Sequence, residues 1–148
     1  MSKQEEASLI LKLYELRREP TMRTARDWFF RDFNPQSLDE FTATMFGPNS
    51  GHLRMVVTYW DMAAALVNDG AIPLELFNHT NGEHFSVFAK VELLVDEIRP
   101  KFGPQFAVQL EKLIDATPEG RKRVAAIRER LKAVRATLAQ QAQAQKAS

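Results

Sequence analysis

Two small groups of side chains in this 148-residue chain have types and spacings that chemistry uses. His79, Glu83 and His84 lie within six positions and offer two imidazoles and a carboxylate, the donor set of a divalent metal site. Zinc asks for three or four ligands on a rigid frame. Here the loop Asn81-Gly82 separates His79 from a helix start that carries the other two, so no metal ligand is assigned and no cofactor is expected. Glu83 in a first helical turn complements the helix dipole, and His79 reads as a solvated loop residue.

The second group is Arg54, Tyr59 and Asp61 on the most apolar segment, with His84 as a further member of a possible pocket. Arg54 and Asp61 are seven positions apart, about two helical turns, which places them on one side of a helix but beyond direct pairing. Trp60 between them reads as core, leaving Arg54 and Asp61 at the helix edge. No Ser/His/Asp order, phosphate-binding glycine loop or paired-carboxylate motif stands out. Zero cysteines remove disulfides, thiolate metal sites and a cysteine nucleophile together, and no catalytic residue is assigned.

A third constellation is built for contact. Val124, Ile127, Leu131, Val134 and Leu138 recur in steps of three and four, the period of a narrow apolar seam on a helix. With Val124 at heptad position a, Arg121, Arg128 and Arg135 fall at e, and Arg123 and Arg130 at g. Both flanks of the seam are arginine, so a homodimeric coiled coil would set cation against cation in either orientation. Residues 118–148 carry eight Lys/Arg against Glu119 and Glu129, a net +6, which leaves −5 on residues 1–117. The seam therefore calls for an acidic helical surface, and the body of the chain is one.

The elements that position these groups are all helical. Leu9, Leu13 and Leu16 share a face of a first helix, about 4–18, that Pro20 stops, and Thr21 caps a second that Asn34-Pro35 ends. Ser37-Leu38-Asp39-Glu40 has capping-box spacing and opens a short helix to Phe46. Ser50 caps the central helix to Asn68, Pro73 starts a short one, and a long helix runs from Glu83 to Arg99-Pro100. Pro104 begins another, and Thr117-Pro118-Glu119 opens the basic arm. The run Trp28-Phe29-Phe30 cannot face one core from a single helix, so one ring packs elsewhere or marks a contact surface. The expected organisation is a compact all-α multi-helix bundle over 4–116, a long basic amphipathic C-terminal helix over 117–138, and a tail over 139–148 that lacks an apolar face and should fray or be disordered.

Tyr59-Trp60-Asp61, Leu66-Val67, Gly70-Ala71-Ile72, Arg99, Phe106 and the Leu110-Glu111-Lys112-Leu113 run resemble a bacterial family of small helical domains of unknown function. The resemblance covers about half the chain and leaves out the basic arm. It implies an α-helical fold and assigns no activity.

The reading that follows is a non-enzymatic interaction or oligomerisation module, whose arm packs on an acidic helical surface of its own chain, a second copy or another protein. A small-molecule binder or enzyme with a site near the central helix is one alternative. Nucleic-acid binding by the arm is another, disfavoured because no aromatic residue is interleaved with the arginines and the body is acidic. Membrane-surface binding lacks Trp or Phe anchors on the seam. No apolar run approaches the ~20 residues of a membrane span and the N-terminus has no secretory pattern, so a cytoplasmic location is expected.

Overall fold

The structure is a computed structural model that describes residues 2–147; Met1 and Ser148 lie outside the described residues. The helices are α1 (Lys3–Arg17), α2 (Pro20–Arg31), α3 (Leu38–Met45), α4 (Ser50–Asn68), α5 (Leu74–Thr80), α6 (Glu83–Val91), α7 (Val95–Phe102), α8 (Val108–Ala116) and α9 (Gly120–Ala147). The described residues contain no strand, and the all-α bundle with a long C-terminal helix is the architecture expected from the helical periodicities.

Helix α4 is the axis of the bundle. It packs most extensively on α8 and α2, while α9 lies along α6. Leu53, Val56, Val57, Trp60, Ala63, Ala64 and Val67 of α4 are buried, which is why this segment is apolar on more than one side. Phe29, Phe41, Phe77, Phe85 and Phe88 close around it, each with no exposed surface. The Trp28-Phe29-Phe30 run divides accordingly. Phe29 enters the core, while Trp28 and Phe30 are half-buried against it. Helix α1 sits at the edge: only Leu13 is buried, and Leu11, Tyr14 and Leu16 remain exposed.

Several boundaries differ from those read along the sequence, each for a local reason. Glu19, not Thr21, caps α2, its carboxylate accepting from the Met22 amide. Ser37 caps α3 as its spacing predicts, but the Glu40 carboxylate accepts from the Gln36 amide rather than closing the box on Ser37. Asn49, not Ser50, occupies the cap position of α4. The single long helix expected from Glu83 to Arg99 is broken by a 3-10 turn at Glu92–Leu94, and α7 then continues through Pro100 to Phe102.

Helix α8 starts at Val108 rather than Pro104, because Ala107 takes a left-handed conformation (φ 54°) and the Asp61 side chain caps the new start. Thr117 does not cap the arm. Its hydroxyl donates to the Leu113 carbonyl at the end of α8. A turn through Glu119 (φ 59°) delivers Gly120, whose position leaves no room for a side chain: an added Cβ would lie 2.0 Å from the Ile114 carbonyl oxygen. The arm thus enters tightly against the end of α8. The segment 139–147, read as a disordered tail, is helical as the continuation of α9, and every residue in it is exposed.

Candidate functional site

The docked half of the arm is built from apolar contact first and charge second. Val124 is fully buried and joins the main core, Ile127 and Leu131 are half-buried, and Val134 and Leu138 are 51% and 58% exposed. The seam is used progressively less toward its C-terminal end. Around Val124, the Arg121 guanidinium gathers three carboxylates: Asp115 at 2.6 Å, Glu92 at 2.8 Å and Glu111 at 2.9 Å. Those hydrogen bonds, Asp115 foremost, push the Arg121 pKa up. Arg128 donates to the Ala89 carbonyl at 3.0 Å and to Glu92, and Glu111 is shared with Arg99 at 2.9 Å. Arg123 lies over the Phe85 ring, 4.0 Å from its centroid.

Three of the five flanking arginines are therefore engaged by the body. Arg130 stays exposed. Arg135 is half-buried beside a small cleft of about 110 Å³ that Lys90, Arg128, Leu131 and Lys132 also line. Lys90 donates to the carbonyls of Phe29 (2.9 Å), Phe30 (3.3 Å) and Phe33 (2.6 Å) and so closes the C-terminal end of α2. Burial, with Arg135 as a nearby like charge, pulls its pKa down to about 8.

The four residues read as a possible pocket are separated into two places. Arg54 and Asp61 do line one cavity, between α4 and the 103–107 turn. Asp61 accepts from the Leu110 amide at 2.9 Å, and burial raises its pKa while the Leu110 and Gln109 amides oppose the shift. Tyr59 and His84 do not line that cavity, and each has its own hydrogen-bond partner. The Tyr59 hydroxyl donates to the Leu13 carbonyl at 2.5 Å, and burial pushes its pKa up to about 12.

A separate polar network centres on Glu83. Arg26 grips it with two bonds, Nε to Oε1 at 2.8 Å and Nη2 to Oε2 at 2.6 Å, Trp60 Nε1 donates to it at 3.2 Å, and Arg17 stands 3.9 Å away. His79 reaches Glu75 at 3.8 Å, so the histidines and Glu83 find separate partners. Among the described residues no group of three His, Asp or Glu is arranged to hold a metal ion.

His84 is enclosed by Trp60, Phe77 and Phe85, and its Nε2 is 2.9 Å from Asn78 Oδ1. Asn78 Nδ2 donates to Thr117 Oγ1, and Thr117 donates onward to Leu113. The direction of this chain puts the proton on Nε2 and leaves Nδ1 buried without a partner. Burial, then Arg123 and Arg17, lower the His84 pKa to about 3. An unfolded histidine titrates near 6.5, so between pH 6.5 and 3 the unfolded chain binds the extra proton and stability falls as pH falls. Denaturant titrations are expected to show a loss of about 1 to 2 kcal/mol between pH 7 and pH 5 that His84→Gln does not share. Parallel pH dependence in the two proteins would rule the buried neutral histidine out.

Sequence reasoning missed the Glu83 network and the Lys90 cap, since Arg26 and Glu83 lie 57 positions apart and nothing local links them. Glu83 was readable only as a first-turn acid, and Lys90 fell in the middle of a helix expected to run from Glu83 to Arg99, whereas α6 ends one residue after it.

Fold and site together define a single helical body with a basic C-terminal helix docked on it, and among the described residues no helix is long and apolar enough to cross a membrane. The chain belongs to the family described as a domain of unknown function, DUF4760, whose model matches residues 4–117. The match ends where the arm begins. No curated protein and no solved structure matches the chain.

Proposed function

We propose that the protein is a non-enzymatic interaction module whose contact element is the distal half of α9, with self-association as its simplest form. The observation that carries this reading is the split seam. Val124 is spent in the core, whereas Val134 and Leu138 continue the same stripe into solvent with Arg130, Lys132 and Arg135 around them. An apolar stripe flanked by cations fits an acidic amphipathic helix. The body offers carboxylates with no ion-pair partner among the described residues at Asp39, Asp69, Asp96 and Glu97, and Leu93, 73% exposed, lies close to the last two in sequence. The arm of one copy and the body of another are thereby matched in charge.

Solution mass by sedimentation tests the reading without disturbing the core. The full chain is expected to associate reversibly, more strongly at low salt, and Val134→Ser with Leu138→Ser is expected to return it to monomer with an unchanged melting temperature. A full chain that stays monomeric at high concentration and low salt would remove self-association. A double variant that associates as the parent does would remove the seam.

A further inference from the structure

The cavity that holds Arg54 and Asp61 has a volume of about 380 Å³, within the ~300–1,000 Å³ of small-molecule pockets. Its walls are Met45, Leu53, Val57, Phe102, Phe106 and Ala107, an apolar surface with few polar groups at its margin. Two of the backbone positions lining it are unusual, Gly103 at φ 131° and Ala107 at φ 54°, and they bound the turn that closes one side. Phe46, 79% exposed, lies against Phe102 with ring centroids 6.2 Å apart and extends the apolar lip.

Charge decides what such a cavity would take. The Asp61 carboxylate is committed: it holds the first turn of α8 through Leu110, and Arg99 answers its charge. Arg99 is itself tied to the Phe106 carbonyl at 2.9 Å and to Glu111. Lys101 sits over the Phe102 ring, 5.6 Å from its centroid, and donates to Thr42. Arg54, by contrast, is exposed at the margin, and its guanidinium has no hydrogen-bond or ion-pair partner among the described residues. The uncommitted charge at the cavity is a planar fork of donors, the group that matches a carboxylate with two parallel bonds.

We propose that this cavity binds an amphipathic monocarboxylate, its apolar body among Leu53, Val57, Phe102 and Phe106 and its carboxylate on the Arg54 guanidinium. The site shares no residue with the arm, so it stands or falls apart from the interaction reading. Helix α4 supplies the anchor through Arg54 and one apolar wall through Leu53 and Val57, so these two parts of the site are held on one rigid element.

The test uses the full chain with sodium decanoate and decylamine below their micellar concentrations and decanol below its solubility limit. Decanoate is expected to shift the backbone amide resonances of Gly103, Gln105, Phe106 and Ala107 and to raise the melting temperature, with decanol weaker and decylamine weakest. Arg54→Glu, a change at an exposed and unpaired side chain, is expected to weaken decanoate at least tenfold and invert the preference toward decylamine, while Arg54→Lys recovers part of the affinity. Absence of any shift at millimolar decanoate would overturn the proposal. So would equal binding by Arg54→Glu, or shifts confined to residues 131–138, which would show an amphiphile coating the arm's seam.

Discussion

Replacing Glu83 with Gln is expected to lower the free energy of unfolding by about 3 kcal/mol, the range found when one partner of a buried ion pair is removed. Glu83 is 14% exposed and takes two bonds from Arg26, one from Trp60 and the charge of Arg17, which is also 14% exposed. The amide keeps the shape and one acceptor but leaves two guanidinium groups without a counter-charge. The damage should be directional. Arg26 also donates to the Arg17 carbonyl at 3.2 Å, and α1 contributes only Leu13 to the core, so this network does much of the holding at that edge. Hydrogen exchange should quicken first in α1 and the start of α2, with α4 and α8 protected longest. Equilibrium denaturation in urea measures the total, and a loss under 1 kcal/mol would mean that solvent already shares the site.

The limits of sequence reading follow from which interactions are local. Helix-scale features were legible: the apolar breadth of α4, the Ser37 cap, the seam from Val124 and the arginines at its flanks all repeat within a few residues. Features that join distant segments were not. Nothing near Asp61 announces that it caps α8, because its partner amide belongs to Leu110, 49 positions on. The 3-10 turn at Glu92–Leu94 hides inside an unbroken helical periodicity, and what it achieves is tertiary: it places Glu92 where Arg121 and Arg128 both reach it. The candidate pocket residues show the same division. Arg54 and Asp61 share a face as their seven-residue spacing requires, whereas Tyr59 and His84 find partners elsewhere, in Leu13 and Asn78, which no local spacing announces.

The first turns of the arm are continuous with the packing of the body. Val124 fills the core, and Gly120 permits a close approach to the end of α8 that any side chain would prevent. Charge then secures what packing begins. Glu92, 14% exposed, receives both Arg121 and Arg128, so withdrawal of the arm would strand a half-buried carboxylate as well as uncover an apolar seat.

Cutting the chain at two points separates these roles. Removal of residues 118–148, which leaves the segment matched by the family almost unaltered, is expected to cost roughly 2 kcal/mol for the seat of Val124 and about as much again for the carboxylates that lose Arg121 and Arg128. Against a total stability of about 5–15 kcal/mol, that removes from about a quarter to most of it and leaves a folded body with a markedly lower melting temperature. Removal of residues 132–148 discards, among the described residues 132–147, only exposed side chains and the half-buried Arg135, and is expected to change stability by about 0.5 kcal/mol or less. Arg135 is the like charge beside Lys90, so its loss should ease that cation rather than strain it. Circular dichroism melts and sedimentation of the two shortened chains give the comparison: the longer deletion should melt well below the full chain, while the shorter one melts with it and loses association. A 118–148 deletion that melts like the full chain would show that α9 rests on a finished domain, and the interaction reading would then have to carry the whole helix instead of its distal half.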